Sequence, residues 1–144
     1  MERTILTAMA KDPEQRYPSM DALRKEGDSV GARIEVLPVD LGGKVFPVSG
    51  GLPLGKRAPQ RQAYRLVEMK RFSEHLHAPL NVTPKFFPVA GDDAARLIIA
   101  VAQHDGADAA MHITDAVLRA VWVEERNIAD EATLAALLRE RELQ

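Results

Sequence analysis

Few residues in this chain have the types and spacing that perform chemistry. The 144 residues contain no cysteine, so a disulfide framework, a thiolate metal site, a cysteine nucleophile and redox chemistry by this chain alone are excluded. No two histidines stand four residues apart, and a zinc site needs several ligands at suitable spacing. We therefore expect no metal site. The histidines are His75, His77, His104 and His112.

A glycine-rich stretch, GGLPLGKR at residues 50–57, fits the first seven positions of a phosphate-binding loop. The eighth position is Arg57, where such a loop needs a serine or threonine hydroxyl for magnesium. Pro53 also lacks a backbone N–H with which to contact phosphate. The stretch therefore indicates a glycine-rich loop rather than a nucleotide site.

The overall composition is typical of a globular domain. Apolar residues make up 46% of the chain, charged residues 28%, and the formal net charge is −2. This balance gives no field that would attract nucleic acid or an anionic membrane. No apolar run approaches the roughly 18–20 residues of a membrane span, and the N-terminus does not resemble a signal peptide. We expect a cytoplasmic protein that binds neither nucleic acid nor membrane.

The first forty residues predict two short helices and one strand. Apolar residues at helical spacing predict the first helix over residues 2–10. Ser19 is the expected N-cap of a second helix, which buries Met20 and Leu23 and ends near Gly27. Residues 32–39 alternate as a strand does. Its expected inner side is Ile34, Val36 and Pro38.

Four helices are predicted after a long loop at residues 40–59, which holds five glycines and three prolines. The first begins after Pro59 and is amphipathic. The second, from Asp92 or Asp93 to near Gly106, is apolar nearly all round and is expected to be central. A third runs over residues 108–122. Asp130 caps the last, with Leu134, Leu137 and Leu138 inside.

The first of these four helices has the clearest pattern. Ala63, Leu66, Val67 and Leu76 are expected near its buried face. The polar face is expected to carry Arg61, Arg65, Glu68 and Arg71.

Four blocks of the chain resemble one enzyme family. They read GARIEVLPVDLGG, GGLPLGKRAPQRQAYRLVEMKRF, LNVTPKFFPV and VLRAVWVEERNIADEATLAALL. Together they resemble the 2-hydroxychromene-2-carboxylate isomerases, which are related to kappa-class glutathione transferases and to DsbA-like oxidoreductases. The resemblance implies an α/β thioredoxin-like fold with a helical insert, of which this chain holds the mostly helical part. The implied division is a joint at 27–30, the second thioredoxin strand and crossover at 31–59, and the helical insert at 60–144.

The resemblance implies a glutathione-dependent isomerisation of a small aromatic carboxylate, in which the glutathione thiolate adds to the substrate and later leaves. The family's thiol-activating serine lies in a stretch resembling FDFxSPxxY, which this chain lacks, and its role does not transfer to Ser19. The family's cis-proline precedes a third strand that would follow Gln144. We therefore expect a truncated member that is inactive as an isolated chain. For glutathione contacts, Gly51 stands where the family has asparagine, and Arg61 where it has lysine.

The N-terminal segment, residues 1–26, resembles a different family. The stretch ILTAMAKDPEQRYPSMDALRKE is similar to the final helices of a Ser/Thr kinase, with Arg16 as the arginine of its DPxxR pattern. The elements that bind ATP are missing, so no kinase activity is expected. A generic pair of helices joined by a DP turn is the alternative interpretation.

Two functions remain open. The chain is either a truncated glutathione-dependent isomerase or a non-catalytic helical module that acts by protein–protein association. A lone strand has unpaired edges, and helices that lack a covering sheet expose apolar faces. We therefore expect self-association, or local disorder around residues 27–48.

Overall fold

The computed structural model describes residues 20–143, with side chains from residue 25 onward. The helix predicted over residues 2–10, its neighbour Arg16 and the predicted cap Ser19 lie outside the described residues. The side chains of Met20 and Leu23, which were expected to be buried, are also outside them. No helix within residues 20–143 is long and apolar enough to cross a membrane.

The described part of the chain is helical, with six α-helices and two single turns of other helix types. A π-helical turn spans Leu41–Val45 and a 3₁₀ turn spans Leu54–Lys56, so the predicted structureless loop contains short elements. The α-helices are α1 (Met20–Ser29), α2 (Phe46–Ser49), α3 (Pro59–His75), α4 (Asp92–His104), α5 (Ala107–Trp122) and α6 (Glu131–Glu140).

The hydrophobic core lies between α4, α5 and α6. Helix α5 packs against both of the others and is the central element. Ile113 of α5 and Leu137 of α6 are completely enclosed. Alanines on α5 let its neighbours approach closely, because their side chains are small. The buried residues of α5 are Ala110, Met111, Ile113, Ala116, Val117, Ala120 and Val121.

Helix α4 is not the central helix that its apolar sequence predicted. It buries Ala94, Ile98 and Val101, one stripe at helical spacing. Ile99, on another side of the helix, is 42% exposed. Helix α5 covers only one side of α4 within residues 20–143, so the remaining apolar residues face outward.

The end of α4 and the start of α6 follow the predicted signals. Helix α4 ends two residues before Gly106, whose φ of 90° is a conformation that favours glycine. Asp130 caps α6, and its carboxylate accepts a hydrogen bond of 3.2 Å from the backbone N–H of Ala132. Leu134 and Leu137 are buried and Leu138 is partly buried, as predicted.

Residues 32–39, here called the alternating segment, do not form the predicted strand. Every second residue is half-buried and those between are exposed, which is the period of a strand. Val36 packs against the helical core. No other part of the described chain pairs with this segment, and a strand exists only with a partner. The preceding α1 also continues to Ser29, two residues beyond the predicted end.

Helix α3 begins at Pro59 as predicted, but it faces the rest of the molecule with a different side. Leu66 and Val67, assigned to the buried face, are 37% and 47% exposed. Arg65, assigned to the polar face, is half-buried. One residue corresponds to about 100° around a helix, so the true contact stripe is rotated by that amount. The half-buried residues of α3 are Gln62, Arg65, Met69, Phe72 and Ser73. Leu76, directly after the helix, is half-buried as predicted.

Candidate binding groove

Gly51, the first of the two predicted glutathione contacts, lies in the crossover between the alternating segment and α3. It is half-buried, and the ring of Phe46 lies against it. A Cβ atom at this position would collide with that ring, whose Cγ would be 2.9 Å away. An asparagine side chain therefore has no room here unless Phe46 moves.

Arg61, the second predicted contact, lies in the first turn of α3. Its side chain is exposed and makes no hydrogen bond or ion pair with the described residues. Arg61 and Gly51 do not line the groove that the structure forms beside α3. Their proposed role in binding glutathione stays a prediction.

The groove lies between α3, the proline-containing segment after it, and the C-terminal turn of α5. It is open on one side and has a volume of about 670 Å³. Its walls combine apolar side chains with three arginines and one glutamate. The lining residues are Arg57, Arg65, Glu68, Met69, Pro79, Leu80, Leu118, Arg119, Trp122 and Val123.

Arg65 is held at the groove by two aromatic rings. Its guanidinium carbon lies 5.2 Å from the centroid of Phe87 and 5.8 Å from that of Trp122. The two rings contact each other, with centroids 4.7 Å apart and a tilt of 41°. Both distances lie within the range of a cation–π interaction. Arg65 is half-buried and has no carboxylate partner among the described residues.

The other groove arginines are also oriented by contacts that leave donors available. Arg57 donates from Nε to the backbone oxygen of Leu52 at 2.9 Å. Arg119 has its Nε 3.7 Å from a carboxylate oxygen of Glu124. Glu68 forms no ion pair with the described residues. The groove is therefore positive, with arginine donors that no carboxylate of the groove takes up.

The wall that contains Trp122 is fixed by hydrogen bonds from neighbouring segments. The backbone N–H of Asn81 donates to the carbonyl of Trp122 at 2.7 Å. The side-chain amide of Asn81 donates a hydrogen bond to the carboxylate of Glu125. The backbone of Glu125 is in the left-handed region, with a φ of 54°. These bonds join the segment after α3 to the end of α5. Trp122 is thus both a partly buried neighbour of the core and a wall of the groove.

The turn that follows is tied to α6 by Arg126. Its two terminal nitrogens donate to the two carboxylate oxygens of Glu140 at 2.9 and 3.1 Å. The hydrogen bond from Arg126 holds the pKa of Glu140 below its ordinary value of 4.5, and the Arg126 charge adds to this. The same pairing raises the pKa of Arg126.

The described lining of the groove can bind a ligand through charge, aromatic and apolar contacts. Among the described residues, it contains no hydroxyl, thiol or imidazole group. Arginines beside an aromatic wall fit a flat ligand that carries a carboxylate. In residues 20–143, no cluster of three or more histidine, aspartate or glutamate side chains is placed to hold a metal ion.

No local pattern in the sequence indicated this groove. Arg57 precedes α3 and has an extended backbone, and Arg61, four residues before Arg65, lies outside the groove. Arginines of an amphipathic helix are usually solvated, so Arg65 was assigned to the outer face. The distant Phe87 and Trp122 decide otherwise, and their approach depends on tertiary structure.

Comparison with known families gives one match. The family model described as a DSBA-like thioredoxin domain matches residues 13–144. No curated protein and no solved structure matches the chain. The match begins inside the segment that resembles a kinase, and that resemblance stays a prediction, as do the domain boundaries.

Proposed function

Because the chain belongs to the family of DSBA-like thioredoxin domains, we propose that it is the helical, ligand-binding part of a glutathione-dependent isomerase. The proposed substrate is a small aromatic carboxylate of the 2-hydroxychromene-2-carboxylate type. One observation carries the proposal: in a groove with apolar walls, Arg65 is held against Phe87 and Trp122 and has no carboxylate partner within residues 25–143.

The lining of the groove supports a substrate of this kind. The substrate carboxylate would accept hydrogen bonds from Arg65 and Arg57, since arginine donates two parallel hydrogen bonds to a carboxylate. The substrate rings would lie beside Trp122 and the apolar side chains of Met69 and Leu118. Binding would remove this apolar surface from water while keeping the charge paired.

The sulfur in the proposed reaction comes from glutathione, because the chain contains no cysteine. Arg61 would hold one glutathione carboxylate, and the backbone around Gly51 would lie beside the peptide. The part of the groove lining that the structure describes offers no hydroxyl to lower the pKa of the bound thiol. We therefore propose that the isolated chain binds its ligands but does not catalyse the isomerisation.

A test of the carboxylate site uses calorimetric titration with 1-hydroxy-2-naphthoate as the probe. We expect sub-millimolar binding to the full chain, and about tenfold weaker binding by Arg65→Met, equivalent to about 1.4 kcal/mol. Arg71→Met is the matched control, because Arg71 is an exposed arginine of the same helix outside the groove. Equal affinities for wild type and Arg65→Met would refute the site.

Glutathione is titrated separately, so that the two ligands are judged independently. Micromolar binding that weakens in Arg61→Met but not in Arg71→Met is the expected result. Absent or millimolar binding would remove glutathione from the proposal. The naphthoate titration alone would then test the carboxylate site.

A further inference from the structure

Most backbone N–H and C=O groups of the alternating segment lack hydrogen-bond partners within the described chain. Among the residues described, no backbone N–H or C=O between residues 33 and 38 takes part in a hydrogen bond. A row of unpaired groups in a segment with strand periodicity is a template for pairing with another strand. Leu37 and Val39 are also 70% and 63% exposed on its outer side.

The two backbone edges of this segment differ in how many N–H donors they have available. Along a strand, successive residues direct their backbone groups to opposite edges. Pro38 has no N–H, and the N–H of Ala32 already donates to the carbonyl of Gly27 at 2.8 Å. Both residues belong to the edge of the even-numbered positions. The other edge, with Arg33, Glu35 and Leu37, keeps its donors.

We infer that this edge pairs with the same edge of a second copy, antiparallel and centred on Ile34. In an antiparallel pair, residues directly opposite each other have side chains on the same face. A two-fold axis therefore requires one residue to stand opposite its own copy. The inference concerns assembly and does not depend on the ligand proposed for the groove.

Charge selects Ile34 as the centre. With Ile34 on the axis, Arg33 of each copy stands opposite Glu35 of the other. A centre at Arg33 or at Glu35 would put like charges opposite each other. Neither side chain has an ion pair with the described residues of its own chain, so both are available.

The ladder ends at the pairs of Arg33 with Glu35. This register places Leu37 opposite Gly31 of the second copy, but Gly31 has a φ of 66° and its N–H donates to the carbonyl of Asp28 at 3.1 Å, so it does not extend the strand. A Cβ at Gly31 would meet no atom within 4 Å, which leaves space for the leucine side chain. The aliphatic stem of Arg33 lies diagonally across from Leu37 in this arrangement and can cover it.

Sedimentation equilibrium of the full chain tests the inference through charge exchange. We expect a concentration-dependent dimer for wild type, and dimer affinity reduced by about tenfold or more in Arg33→Glu and in Glu35→Arg. The double variant R33E/E35R should recover the dimer. An equimolar mixture of the two single variants should form a heterodimer, since each supplies the charges that the other lacks.

Arg71→Glu controls for the change in net charge, because this exposed arginine lies on α3 and outside the segment. It should leave the dimer unchanged, and circular dichroism should show the same helix content for every variant. A wild-type chain that stays monomeric at all concentrations would overturn the inference. So would single variants that dimerise as well as wild type, or a double variant that does not recover.

Discussion

The C-terminal three helices and the part of the chain before them use similar apolar residues very differently. In the described chain, the buried residues of the hydrophobic core lie between Ala94 and Leu137. Most of the large apolar residues that remain exposed lie between Val30 and Val67. Apolar content alone therefore does not produce a core. A core also needs facing elements that bring apolar stripes together.

Helices α4, α5 and α6 cover one another, whereas the alternating segment, the crossover and α3 depend on contacts at their margins. The groove is where the two regions meet, through Arg65 of α3 and Trp122 of α5. A ligand bound there would add contacts to the region that has fewest of its own.

The largest effect that separates the two regions should come from truncating buried side chains. Ile113→Ala removes a fully enclosed side chain from the centre of α5 and should lower the free energy of unfolding by about 2–5 kcal/mol. Leu66→Ala on α3 removes a partly exposed side chain and should change it by no more than about 0.5 kcal/mol. Urea denaturation of both variants measures the contrast. Equal losses would mean that α3 is as well packed as α5.

The helices after residue 59 were predictable because their ends carry local signals. Pro59 is favourable in the first turn of α3, and the carboxylate of Asp130 accepts a hydrogen bond from a backbone N–H of α6. Gly106 adopts a positive φ that is unfavourable for other residues. These causes act within a few residues. The bounds of α3, α5 and α6 accordingly agree closely with the sequence.

The contacts of those helices were less predictable, because they depend on distant partners. The orientation of α3 follows from Arg65 lying over Phe87 and Trp122, and a helical pattern counts arginine as polar. Helix α4 has the more continuous apolar sequence, yet α5 is central because its alanines admit neighbours on several sides. The predicted strand over residues 32–39 does not form within the described chain for the same reason. Its alternating pattern is local, whereas pairing requires a partner segment distant in sequence.

Gly106 and Gly55, one in each region, should differ in how well they tolerate replacement by alanine. Gly106 joins α4 to α5 with φ 90° and ψ −177°, a region that other residues avoid. Gly106→Ala should therefore destabilise the protein by about 1–3 kcal/mol. Gly55→Ala, in the crossover, meets no atom within 4 Å and has no positive φ, so it should be close to neutral. Thermal unfolding of the two variants compares them, and a larger loss at Gly55 would contradict the division into regions.

The smallest effect concerns the ion pair between Arg126 and Glu140, which lies on the surface of the stable region. Because the hydrogen bond from Arg126 lowers the folded-state pKa of Glu140, the pair stabilises the protein above pH 4.5. That contribution is lost as the pH falls through the lowered pKa and the carboxylate takes up a proton. Glu140→Gln should thus be slightly less stable than wild type at pH 7, and the difference should disappear in acid.

Thermal midpoints recorded from pH 7 to pH 2 follow this difference. Glu142→Gln is the matched control, because Glu142 lies two residues away and has no ion pair within the described chain. Its midpoint should track that of wild type throughout the pH range. A Glu140→Gln difference that is the same at every pH would show that the side chain acts through packing. The Arg126 pair would then contribute nothing to joining the end of α5 to α6, even though its geometry is bidentate.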